Sequence, residues 1–152
     1  MQRHCLAVIA LLSVMLGLFA FYRMANTAHK AFFQNEDLFA ALVAFVERRG
    51  RFPSSEAEFR ASAWIQYIDE DCIRVLPVQS AILNLNVNGV SICLSDYRIL
   101  WGADLAGFRV DASGKVYDRE DNVVLLVFRY GYASWSKAVT TALSDVTGRA
   151  AP

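Results

Sequence analysis

The residue types that carry most enzymatic chemistry are sparse and badly placed. The chain contains two histidines, His4 and His29, and residues 30–152 contain none. A Ser-His-Asp or Cys-His constellation, or a histidine-containing zinc site, is therefore not available to that part of the chain. Gly102 and Gly107 bracket Gly-Ala-Asp-Leu-Ala-Gly, but Phe108 stands where a phosphate loop needs lysine, and no Gly-x-Gly-x-x-Gly occurs. Carboxylates remain. Asp118, Glu120, Asp121 and Asn122 offer four oxygen-bearing side chains in five residues, a pattern that suits calcium, with a plain polar turn the simpler reading. Asp69-Glu70-Asp71 is a second, weaker group of the same kind. Nothing in the spacing places two acids across a cleft for glycosidase work. The expectation is a protein that is not an enzyme.

Three cysteines are too few for a disulfide scaffold or an all-cysteine zinc site. Cys72 and Cys93 form a disulfide if they lie in an oxidising compartment, and are two unrelated small residues in a reducing one. Cys5, at the front of an apolar run, reads as an apolar filler or an acylation site.

Residues 5–22, CLAVIALLSVMLGLFAFY, are eighteen in a row without a charge. As a helix they span about 27 Å, close to the ~30 Å hydrocarbon thickness of a bilayer. Phe19, Phe21 and Tyr22 gather at one end and Arg23 closes the run, as at an interface. A cleaved signal peptide, giving a secreted protein, is the rival reading. The run exceeds the usual apolar core of a signal, and no small-x-small cleavage site follows it. The expected organisation is an N-terminal flank at 1–4, a transmembrane helix at 5–22 held by membrane lipid, and one head domain at 23–152. The amino end is expected in the cytoplasm and the head outside, periplasmic in a bacterium.

With 152 residues and 17.0 kDa, the chain has room for one domain. Fifteen basic residues balance fifteen acidic ones, so no charge excess points to nucleic acid as a partner. An apolar fraction of 55% against 20% charged residues excludes a disordered chain.

Residues 18–49 contain neither glycine nor proline, so the membrane helix has no stop signal at the bilayer surface. Phe32, Phe39, Leu42, Val43 and Val46 recur as one stripe of helical period, with Gln34, Asn35, Glu36 and Asp37 largely off it. Arg48 and Arg49 suit the negative end of that helix, a simpler reading of the basic run than an anion site, and Gly50 suits its cap. Pro53 cannot continue the helix, and Ser55 with Glu58 forms a capping box for a second one, expected to run through Phe59, Ala63 and Tyr67.

Leu38-x3-Leu42-x2-Phe45-x4-Gly50-x-Phe52-Pro53 resembles the end of the stem helix in type II secretion pseudopilins and type IV pilin-like proteins. The resemblance implies a membrane helix continuing as the spine of a small α+β head, a role in assembly with other membrane or envelope proteins, and a calcium site in a head loop, for which 118–122 is the place. The family's prepilin-peptidase site has no counterpart: only Arg3 and His4 precede the apolar run, and Gly17 lies inside it. Processing by that route is not expected.

From 81 the period changes to two. Leu83, Leu85 and Val87 alternate with asparagines, Asn88-Gly89 suits a type I′ turn, and Val90, Ile92 and Leu94 alternate again. The implied hairpin pairs Val87 with Val90, Leu85 with Ile92, Leu83 with Leu94 and Asn84 with Cys93. Cys72 opens an earlier strand. A second hairpin is expected over 108–117, turning at Asp111 with Gly114 in a left-handed position, then a doubly buried strand at 123–128. Trp135, Val139, Leu143 and Val146 mark a last amphipathic helix ended by Gly148. The fold class is α+β: a transmembrane helix continuing into a stem, packed on a mainly antiparallel sheet of four or five strands, with a C-terminal helix. The functional expectation is a membrane-anchored interaction protein; the alternative is a tethered module that binds calcium or a small ligand.

Overall fold

The first helix, α1, runs Gln2–Arg49 without a break. The computed structural model describes residues 2–150 apart from Ile82, Gly114 and Tyr130, with side chains from Ser13 onward save those at 106, 135 and 146–150. The expected left-handed Gly114, the side chains of Cys5, Trp135 and Val146, and residues 5–12 of the uncharged run thus lie outside the described side chains. Among the described residues no helix carries a stretch long and apolar enough to cross a membrane. The chain divides into two compact units, Met1–Phe33 and Gln34–Pro152.

In the second unit α1 ends as its sequence dictates. The Gly50 N–H donates to the Val46 carbonyl at 2.8 Å, and Gly50 takes a φ of 65°, a value that costs a residue without a Cβ little. The stripe is broader than its periodicity implies. Leu38 and residues 40–46 are all buried, whereas Phe32, counted on the stripe, is exposed. Residues 38–46 contain no charge, the mark of a helix buried on every face.

Helix α2 is Glu56–Arg60, five residues rather than the dozen expected. Ser55 caps it, its hydroxyl accepting the Glu58 N–H at 3.2 Å. The chain then tightens, the Ile65 N–H donating to the Ser62 carbonyl, and leaves as β1, Ile65–Tyr67. Tertiary pairing overrides helical propensity here, since Ile65 sits opposite Val75 on β2, Cys72–Val75.

The Asn-Gly hairpin does not form. Residues 84–90 make no strand; instead β3, Ser91–Cys93, pairs antiparallel with β2, placing Cys93 opposite Cys72 and Ile92 opposite Ile73. Leu83, Leu85 and Val87 still turn to the core and Asn84, Asn86 and Asn88 to solvent. The period of two marks a buried face here without marking a neighbouring strand.

After a 3₁₀ turn at Leu94–Asp96 comes β4, Arg98–Ile99, and after another at Leu105–Gly107 come β5, Arg109–Val110, and β6, Val116–Tyr117. β5 and β6 pair as expected of the second hairpin, Arg109 opposite Tyr117. The apolar run 123–128 is not one buried strand. Val123 is 60% exposed and only bridges Tyr117, while β7, Val127–Phe128, pairs with β4. The last helix, α3, spans Ala133–Ala150 and passes through Gly148, because one glycine weakens a helix without ending it.

The class is α+β, with antiparallel sheets and a C-terminal helix. In place of one sheet of four or five strands, the described residues form a three-stranded sheet, β1-β2-β3, and two two-stranded ones. Leu42, Phe45 and Val46 of α1 share a single buried cluster with Phe59, Ile73, Ile92, Leu126 and Leu143.

Candidate functional site

Asp118 follows β6, and the chain folds back over its carboxylate. Oδ1 accepts the N–H groups of Glu120 and Asn122, each at 2.9 Å, and Oδ2 accepts the Asn122 side-chain amide at 3.1 Å. The backbone N–H of Asn122, then its side chain, holds the Asp118 carboxyl below the usual range. Asp121, at φ 62°, pairs with Arg109, and Arg119 pairs with Asp104 at 2.8 Å. Asp118 and Asn122 are thus brought together, whereas Asp121 is committed to the β5 side. Asp69 behaves similarly, its Oδ1 accepting the N–H groups of Asp71 at 3.0 Å and Cys72 at 2.8 Å. Among the described residues no group of three or more His, Cys, Asp or Glu side chains is disposed to hold a metal ion.

Cys72 and Cys93 are joined by a disulfide between registered positions of β2 and β3.

Comparison with family models, with curated proteins and with solved structures found no match.

A dense polar cluster surrounds Arg129, just beyond β7. Its guanidinium donates to Asn35 Oδ1 at 2.8 Å, to the Tyr97 hydroxyl at 2.8 Å and to Gln34 Oε1 at 2.9 Å, and lies over the Tyr97 and Tyr132 rings. Tyr97 in turn donates to Asn35 Oδ1, and Gln34 donates to the Ser91 carbonyl at 2.7 Å. Burial pushes the Tyr97 phenol up, against the opposing pull of Arg129. Gln34 and Asn35 are 5% and 3% exposed, although helical periodicity assigns them to a polar face. Their partners lie more than fifty residues away, so no local pattern reveals them.

A second polar site, centred on Asp37, docks the 88–90 segment onto α1. Asp37 is fully buried, and its oxygens accept the N–H groups of Asn88 and Val90. Both clusters satisfy their own buried groups and fasten residues 34–37 of α1 to the rest of the second unit. The Ser136 hydroxyl donates to the Tyr132 carbonyl just before α3 and the Thr140 hydroxyl to the Ser136 carbonyl one turn back, which leaves them placed for structure rather than for nucleophilic attack.

The last turn of α1 and the α2–β1 connection line a surface cavity of about 410 Å³. Arg48, Arg49, Ser62 and Trp64 are among its lining residues.

Proposed function

We propose that the chain is a single-pass membrane protein, anchored through residues 5–22, whose α+β domain lies outside the membrane and works by binding other proteins, without turnover. One observation carries this reading: the uncharged run lies on a continuous helix, and its large side chains from Val14 on are open to the surroundings. Leu16 is 68% exposed, Phe21 72% and Tyr22 68%. Apolar surface on this scale is unfavourable in water by roughly 25 cal/mol per Å², and lipid removes that penalty.

The Cys72–Cys93 bridge supports an oxidising compartment for the domain, hence the amino end in the cytoplasm. The Gly50 cap followed by Pro53 supports the pseudopilin-like reading of the α1 exit.

Membrane fractionation tests the anchor. The full chain is expected to sediment with membranes after an alkaline carbonate wash and to require detergent for release, and Gly17→Arg is expected to send it into the aqueous fraction. Recovery of the unaltered chain in that fraction without detergent overturns the reading. Alkylation before and after reduction tests the side of the membrane: thiols at Cys72 and Cys93 that react without reductant overturn the exported placement.

A further inference from the structure

The arginines of the α+β domain fall into two sets. Arg51, Arg60, Arg109, Arg119 and Arg129 each reach a carboxylate, on Glu58, Glu56, Asp121, Asp104 and, at 3.7 Å, Asp96. Arg48, Arg49, Arg74 and Arg98 reach none among the described residues, and of these Arg48 and Arg49 together line the 410 Å³ cavity at the end of α1. Ala61, Ser62, Ala63 and Trp64 complete the lining, and no acidic side chain belongs to it.

The Arg48 guanidinium lies over the Trp64 ring, 4.3 Å from its centre, and Trp64 is itself fixed by donating Nε1–H to the Ala41 carbonyl at 3.3 Å. One cation of the pair is therefore pre-positioned. The C-terminal end of α1 offsets about half a charge, against two full positive charges. The residual field favours an anion, and a guanidinium fork matches a carboxylate with two parallel hydrogen bonds.

We propose that this cavity is the docking site for an acidic peptide segment of a partner protein, a proposal that rests on the interaction reading above. Its volume lies within the ~300–1,000 Å³ that accommodates ligands of several groups, more room than a lone phosphate fills. The apolar wall of Ala61, Ala63 and Trp64 suits the methylene stem of a glutamate whose carboxylate meets Arg48 or Arg49.

The test uses the full chain in detergent micelles and a fluorescent glutamate–alanine peptide, read by anisotropy. Arg49 is exposed and holds no carboxylate, so Arg49→Gln is expected to lower the melting temperature only slightly, through the lost charge at the end of α1. It is expected to weaken the peptide about tenfold, as loss of a charge-assisted pair does. Arg49→Lys is expected to fall between, and Arg98→Gln, the same charge change at another exposed arginine, is expected to have no effect. Equal losses in Arg49→Gln and Arg98→Gln overturn the proposal, because the attraction is then a general field. Displacement of the peptide by inorganic phosphate at equal concentration, or Arg49-dependent binding to anionic vesicles without binding to the peptide, also overturns it. A chain that fractionates with membranes and ignores the peptide overturns this proposal alone, whereas release from membranes overturns only the anchor.

Discussion

The carboxylate of Asp37 on α1 lies 2.6 Å from the backbone nitrogen of Asn88, and its second oxygen lies 2.9 Å from that of Val90. Gly89 between them takes a φ of 67°, but Asn88 does not take the positive φ that a type I′ turn also needs, and the chain turns around the carboxylate. A buried acid satisfying two backbone donors is expensive to remove, since both donors and their desolvation remain. Asp37→Ala is expected to destabilise the fold by about 2–4 kcal/mol in urea denaturation, and Asp37→Asn by less, because one acceptor oxygen survives.

Arg129 holds three side chains at once, so its loss strands several polar groups. Arg129→Leu removes a donor from each of Gln34, Asn35 and Tyr97, leaving Asn35 Oδ1 with the Tyr97 hydroxyl, with an expected loss of about 3 kcal/mol. Arg129→Lys keeps the charge but not the fork and is expected to recover only part of it, as chemical denaturation of the pair of variants will read.

The Cys72–Cys93 bridge closes a sequence separation of 21 residues. A closed loop of that order is worth about 3 kcal/mol in the chain-entropy model. The double change Cys72→Ser, Cys93→Ser is expected to lower the melting temperature to that of the reduced chain, and added reductant is expected to do nothing further to it.

Glu58 sits in a ring of donors: Arg51 first, then the hydroxyl and N–H of Ser54, each of these at 2.7 Å. Together they hold its carboxyl down from 4.5 to about 2. The folded state then binds fewer protons than the unfolded one below pH 4.5. The contribution is present in full above 4.5 and disappears as pH falls toward 2. Asp111, held down from 3.8 to about 2 by the Lys115 N–H and then the Ser113 hydroxyl, adds a second contribution of the same sign. Glu58→Gln is expected to flatten the stability profile between pH 4.5 and 2, with a small amplitude because the group is exposed to solvent. Thermal melts across that window measure it.

Much of the backbone punctuation was legible because it is local. The Gly50 stop, the Ser55 cap and the 109–117 hairpin each depend on residues within a few positions of one another. The capping box was half legible: Ser55 caps as expected, but the Glu58 carboxylate reaches back to Ser54 and Arg51 instead of to Ser55. The split of 123–128 between two partners was hidden, since a run of six apolar residues states burial without stating against what.

The same division holds for the polar clusters. Sequence by itself determined where α1 ends, which face of 83–87 is apolar, and that residues 30–152 hold no imidazole. Only the tertiary structure decided that Gln34, Asn35 and Asp37 are interior, that β3 belongs beside β2, and that Arg48 and Arg49 share a cavity with Trp64. The physical reason is distance along the chain. Dihedral preferences and caps act between neighbours, whereas a buried carboxylate or guanidinium takes the donors or acceptors that folding delivers from fifty or more residues away.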